Sequence, residues 1–337
     1  MEDKKEVSFD DLTPLKYANV GDRREYYHRE VLKQSCENIT DDPNAKVSPE
    51  TGFITVSYHP RDHDICSQYE KQSTIYELPL SPSIITLTKC QETGRDIVKK
   101  SMLKDKLMSD DMVKAAENEC CVHSYMSHEN VIKLHNYSED ETEFALHMEY
   151  ANKSRYLQEL IYDHHTPIEE EQELQIYALD LIQGLNHIHN QGIIHCDLKL
   201  DNMLAHQEED DEIPIIKICD FGLSHVIDPQ LGNKAIKKNT IGTWGYIAPE
   251  CANNTHIGRE IDIWSLGLTL YEMAVAYKPT QVKGYEYGQG ELPFRKRDWR
   301  NRSTELQDLI KACLEVDPEK RITVTDALQH PYFTTEV

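Results

Sequence analysis

The sequence predicts an α+β fold, and three observations carry that prediction. Short runs rich in β-branched and apolar residues, Thr74 to Leu78, Ile84 to Cys90 and Arg95 to Leu103, read as strands, with Glu92-Thr93-Gly94 as the hairpin turn between the last two. From Glu170 to Asn190, apolar residues at 174, 178, 181, 185 and 188 form a helical stripe that ends near Gly192. The apolar stretch Ile261 to Ala276 is broken by Asp262, Ser265, Thr269 and Glu272, which reads as a buried helix and not as a membrane span.

The remaining elements follow in order. Within residues 1–68, Gly21-Asp22 precedes a short amphipathic helix carrying Tyr26, Tyr27, Val31 and Leu32, which turn formers from Asn38 to Pro49 end. Gly52 to Tyr58 reads as a strand. This extension is either a regulatory segment or a partly ordered tail, and its composition supports both. On the strand from Arg95 to Leu103, period-two alternation puts Val98 and Lys100 on one face. A helix from about Ser109 to Met126 carries Glu119, nineteen residues after Lys100. Phe144 to Tyr150 is an apolar run that leads into Ala151-Asn152-Lys153. Beyond Asn202, the strand pair Met203 to Ala205 and Ile213 to Cys219 flanks an acidic tip at 207–212, a solvated loop. The last helix starts at Thr323, with Asp326 in capping-box spacing, and ends at His330-Pro331.

Composition bounds the function. A length of 337 residues suits one large or two small domains. A net charge of −23 argues against a nucleic-acid or anionic-membrane surface and is compatible with basic protein partners. Nine scattered cysteines without a C-x-x-C pair, and an N-terminus without an apolar signal segment, point to a reduced intracellular compartment. A cytoplasmic monomer without disulfides is expected, with the nucleus left open. Cys120-Cys121 with His123, and His164-His165, lack a second pair at zinc spacing.

The chemistry lies between the strands and the buried helix. Ile193-Ile194-His195-Cys196-Asp197-Leu198-Lys199-Leu200-Asp201-Asn202 is followed, eighteen residues after the Asn, by Asp220-Phe221-Gly222. Phosphoryl transfer needs a carboxylate to orient the attacking hydroxyl, oxygens to hold Mg²⁺, and a cation to meet charge on the transferring oxygens. Asp197 fits the first role, Asn202 and Asp220 the second and Lys199 the third.

These residues resemble the catalytic loop and metal-binding D-F-G of eukaryotic protein kinases of the Ser/Thr type, and the resemblance runs from Ser73 to Phe333. It implies a bilobal fold: a small antiparallel β lobe with one helix at 69–150, and a mainly helical large lobe at 151–337. It also implies ATP-dependent transfer to protein hydroxyls, with Mg²⁺ or Mn²⁺. Lys100 would hold the nucleotide phosphates with Glu119, Lys99 being the alternative lysine. Ile85, Val98, Met148, Glu149, Ala151 and Leu204 would line the nucleotide pocket, with Met148 as gatekeeper. Gly242 to Tyr246 would form the substrate-docking loop. Asp201 and Glu272 resemble positions that receive arginine, which suggests basic substrates. Asp262 would brace the catalytic loop, and Glu250 would pair with Arg321.

Four departures qualify the resemblance. Leu78-Pro79-Leu80-Ser81-Pro82-Ser83 stands where a glycine-rich phosphate loop belongs, and proline has no N–H to offer a phosphate. This segment supports the alternative of a pseudokinase acting as a scaffold. Cys196 replaces the usual arginine that pairs with a phosphorylated activation loop, and Asn239 stands at a common phosphosite beside the modifiable Thr240, so activity is expected not to depend strongly on that phosphorylation. Arg155 takes the place of an acidic ribose contact. His123, one turn after Glu119, is either a satisfied core histidine or a weak point in the docking of that helix.

Overall fold

The computed structural model describes residues 69–334 apart from 80, 209–211, 228–233, 237–240, 253–255, 284 and 287–290, together with the strands at 45–47 and 54–56. The helix expected after Gly21, Thr240 with Asn239, and residues 209–211 of the acidic tip lie outside these residues.

Two short strands, β1 (Ala45–Val47) and β2 (Ile54–Val56), pair antiparallel, the second falling within the strand expected at 52–58. A five-stranded antiparallel sheet follows: β3 (Tyr69–Glu77), β4 (Ser83–Cys90), β5 (Asp96–Leu103), β6 (Leu134–Glu139) and β7 (Glu143–Glu149), in the order β3-β4-β5-β7-β6. The hairpin turn before β5 uses Gly94 at φ +71°, a left-handed value that glycine tolerates without strain. Helix α1 (Asp110–Ser124) begins where the Ser109 hydroxyl accepts the Met112 N–H at 3.3 Å, and Asp110 and Asp111 face the positive end of its dipole. On one sheet face Met102, Phe144 and Leu146 close against Ala116 and Cys120 of α1, a small apolar core that fixes the helix against the sheet.

The larger core is helical. A short turn, α2 (Tyr156–Gln158), runs into a π-type turn over Glu159–Asp163, followed by α3 (Glu171–Asn190). The strand pairs are β8 (Ile193–Ile194) with β11 (His225–Val226), β9 (Met203–His206) with β10 (Ile215–Ile218), and β12 (Ala235–Ile236) with β13 (His256–Ile257). Helices α4 (Glu260–Val275), α5 (Thr304–Cys313) and α6 (Val324–Ala327) complete the fold. The five stripe positions of α3 are all fully buried, and so are Ile176, Tyr177, Leu179 and Ile182 around its circumference. The stripe marked one face; central placement buries most of the others. Helices α4 and α5 approach so closely that a Cβ on Gly267 would lie 2.7 Å from the Cys313 Cβ.

Buried polar groups tie these elements together. Arg321 forms a two-pronged pair with Glu250 at 2.6 and 3.0 Å and also donates to the Glu260 carbonyl at 2.8 Å. One expectation is corrected: Cys90 is disulfide-bonded, whereas the other described cysteines are free thiols. Among the described residues no helix is long and apolar enough to cross a membrane.

Candidate active site

The register of the sheet decides between the two lysines. Lys99 and Lys100 point to opposite faces because a strand alternates. Lys99 reaches Glu143 on the neighbouring strand at 2.5 Å. Lys100 turns inward, 2.6 Å from Glu119 on α1 and 2.9 Å from Asp220. Burial works to lower the Lys100 ammonium, but the carboxylates of Glu119 and Asp220 outweigh it and raise it on balance. The same ammonium holds the Asp220 carboxyl well below the usual range, so Asp220 is ionised.

Helix α4 sets the catalytic loop. Asp262, fully buried in its first turn, accepts the N–H of His195 and of Cys196, each at 2.8 Å, and bonds His189 Nε2 at 2.9 Å. Held this way, Cys196 sits at φ +69° and Asp220 at φ +69°, left-handed conformations that strain non-glycine residues. The Cys196 carbonyl oxygen lies 2.9 Å from where a Cβ on Gly242 would be, so that position requires glycine. Burial pushes the Cys196 thiol well up, which makes it inert, and its sulfur lies 3.5 Å from the Ile194 carbonyl oxygen.

Asp197 is the centre of a dense network. Its Oδ1 accepts the N–H of Thr243 at 2.8 Å and the Thr243 hydroxyl at 2.7 Å. Its Oδ2 accepts from Lys199 at 2.7 Å and from Asn202 Nδ2 at 3.2 Å. Lys199 also donates to Thr243 Oγ1 at 2.6 Å, and Asn202 Nδ2 donates to the Asp197 carbonyl at 2.8 Å. The Asn202 main-chain carbonyl accepts from Cys219 N–H at 3.0 Å, which brings Asp220 beside the loop. With the Asn202 amide nitrogen engaged by Asp197, its side-chain oxygen and the Asp220 carboxylate are an oxygen-only pair of the chemistry that suits a hard divalent cation.

Phe221 is fully buried and lies between two imidazoles, 5.0 Å from the His123 ring and 5.3 Å from the His195 ring. His123 is itself buried and bonds the Ile132 carbonyl oxygen at 2.7 Å, so it is a satisfied core residue. Burial lowers its imidazole to about 4, which keeps it neutral.

Cross-strand pairing places Ile85 opposite Lys100, and Val98 opposite Met148, on the face that carries Lys100. Ala151 follows buried, and Lys153 N–H donates to the Ala205 carbonyl at 3.1 Å, bringing β9 with half-buried Leu204 up to the segment that follows β7. The Glu149 carboxylate is committed elsewhere: it accepts the Lys133 N–H and pairs with Lys217, both at 3.1 Å. Arg155 turns to Asp163, at 3.3 Å. Between β3 and β4, Ser81 N–H donates to Leu78 O and Ser83 N–H to Ser81 Oγ, each at 3.1 Å, while Lys106 donates to the Ser81 carbonyl at 3.3 Å. These donors close a turn on itself and do not form a cradle of free N–H groups.

Residues 83–333 match the protein kinase domain. The chain belongs to the protein kinase family. The kinase domain is 32% identical over 250 residues to the serine/threonine-protein kinase DCLK3 of Mus musculus, covering 72% of this chain and 30% of that protein. It is 30% identical over 250 residues to the serine/threonine-protein kinase PLK4 of Nematostella vectensis, covering 74% of this chain and 24% of that protein. The matched region thus spans about a third or less of these relatives' own lengths. Members of the family generally use ATP and Mg²⁺.

Two contacts of the kinase domain escape sequence reasoning. Thr243, expected only as part of the docking loop at 242–246, binds Asp197 from 46 positions away. Lys217 joins Glu149 of the sheet to the Glu129 carbonyl at 2.7 Å, a contact that neither strand's pattern contains.

Proposed function

We propose that this chain transfers the γ-phosphoryl group of ATP to serine or threonine hydroxyls of proteins. The observation that carries this reading is the joining of Lys100 to both Glu119 and Asp220, beside the Asp197, Lys199 and Asn202 network. Lys100, held by Glu119, meets the nucleotide phosphates. Asn202 and Asp220 would hold the divalent cation, which would supply positive charge against the phosphate oxygens. Asp197 orients the acceptor hydroxyl and takes its proton as the new O–P bond forms and the bond from the γ-phosphorus to the bridging oxygen breaks, ADP leaving with that electron pair. Lys199 meets charge on the transferring oxygens, and Thr243 fixes the Asp197 carboxylate in its working rotamer. Ile85, Val98, Met148, Ala151 and Leu204 surround the base, with Glu149 contributing backbone only.

The self-bonded turn at 78–82 favours a second reading, a scaffold that holds nucleotide weakly. The complete and assembled ionic set weighs against it, because losing loop donors tunes a rate while the groups that do the chemistry remain in place. Phosphate transfer from labelled ATP, with Mg²⁺ and separately with Mn²⁺, onto mixed protein substrates tests the proposal. Transfer is expected from the natural chain and not from Asp197→Asn; equal signals from the two would sink it.

A further inference from the structure

Beside the catalytic loop lies a groove of about 820 Å³ whose walls include Ile161, Tyr162, Trp244, Ile247 and Lys278, with Glu272 at its floor. Its position ties it to the acceptor: Trp244 directly follows Thr243, which is bonded to Asp197. The Trp244 indole is 91% exposed, whereas Trp264 and Trp299 are buried. An unburied aromatic at the mouth of an apolar groove marks a surface that another chain covers.

The floor of the groove is already occupied by this chain's own charges. Glu272, 3% exposed, accepts the Tyr246 hydroxyl at 2.5 Å. The Lys278 ammonium stands 3.8 Å from the second Glu272 oxygen and 4.0 Å above the Tyr246 ring, so one cation meets both a carboxylate and an aromatic face. The backbone at this position is fixed as well: the Lys278 main-chain N–H donates to Gln281 Oε1 at 2.7 Å, and the following Pro279 is buried. The Tyr246 hydroxyl is also 3.2 Å from that of Tyr162, which donates to Asp201 at 3.3 Å. Both acidic groups that the sequence offers to a basic substrate are thus engaged within the chain, and the buried one carries its own counter-ion.

We propose that Lys278 is a specificity-determining residue: it fills the acidic subsite at Glu272, so the groove excludes a basic substrate side chain and takes an apolar one against Trp244. The inference rests on the protein-substrate reading above. An incoming arginine would have to displace Lys278 from the buried Glu272 carboxylate and would be left close to a second cation, a repulsive arrangement of the kind that enforces specificity. An apolar side chain needs no such displacement and gains by covering the indole.

The test measures binding without ATP, so it stands whether or not the chain transfers phosphate. Peptides with alanine in place of the acceptor, and arginine or leucine scanned through the flanking positions, are titrated against the fluorescence of Trp244. The natural chain should bind a leucine peptide about tenfold tighter than the matching arginine peptide. Lys278→Met should raise affinity for an arginine peptide about tenfold at one position, and Glu272→Gln added to it should abolish that gain. Lys278→Arg, which keeps the cation, should behave as the natural chain does. Arginine preferred by the natural chain, an unchanged profile in Lys278→Met, or no peptide bound at all would each overturn the proposal.

Discussion

Lys99 and Lys100 are neighbours in sequence with different fates, and strand alternation alone separates them. Lys99 pairs with Glu143 of the neighbouring strand at 2.5 Å, while Lys100 meets Glu119 and Asp220. Lys100→Ala should therefore lower kcat/KM at least about a hundredfold, equivalent to about 2.7 kcal/mol of transition-state stabilisation. Lys99→Ala should stay within about threefold, since partly exposed pairs contribute little. Steady-state assays of the two variants decide the assignment; comparable losses would reverse it. This choice was legible in the sequence because the turn at Gly94 sets the register and alternation does the rest. The bonds from Thr243 to Asp197 and the pairing of Lys278 with Glu272 were not legible, because these partners lie on other elements and no local period reports a contact made by the packing of whole helices and loops.

At the scale of elements, legibility follows burial. Strand β4, buried at alternate positions 86, 88 and 90, and strand β5 match their expected spans within a residue or two. Strand β6, Leu-His-Asn-Tyr-Ser-Glu, escaped notice because an edge strand with half-exposed positions carries little apolar signal. Helix α1 and helix α4 were both foreseen, but the closeness of α4 to α5 was not, since a glycine in a helical pattern does not name its neighbour. Gly267→Ala should test that closeness. Its new methyl would meet the Cys313 Cβ at 2.7 Å and the Leu314 Cγ at 2.9 Å. Overpacking of this kind typically destabilises by about 1–3 kcal/mol, to be read as a lower urea midpoint with an unchanged slope. A neutral result would mean that the two helices separate without penalty.

For the molecule as a whole, buried histidines set the acid limit. Burial lowers His123, His147 and His187 each to about 4 from an ordinary 6.5. The geometry agrees for His187, whose Nε2 accepts the Ser127 N–H at 3.2 Å and so must be unprotonated. The folded chain keeps these rings neutral, whereas the unfolded chain takes up protons below about pH 6.5. Stability is therefore fully present above about pH 6.5 and falls as pH drops towards about 4, by about 1.4 kcal/mol per pH unit for each histidine. Urea midpoints at about pH 7.5 and about pH 5 check this, and equal midpoints would contradict it. The fastening of His195 and Cys196 to Asp262 has a further consequence, in the time domain. Both amide protons are bonded to a carboxylate in the most deeply packed helix, so local breathing does not release them. In deuterated water they should exchange only when the whole large lobe opens, well after the amides of the exposed strand β3 have gone. The loop meant to do the chemistry would then be among the slowest-exchanging parts of the chain.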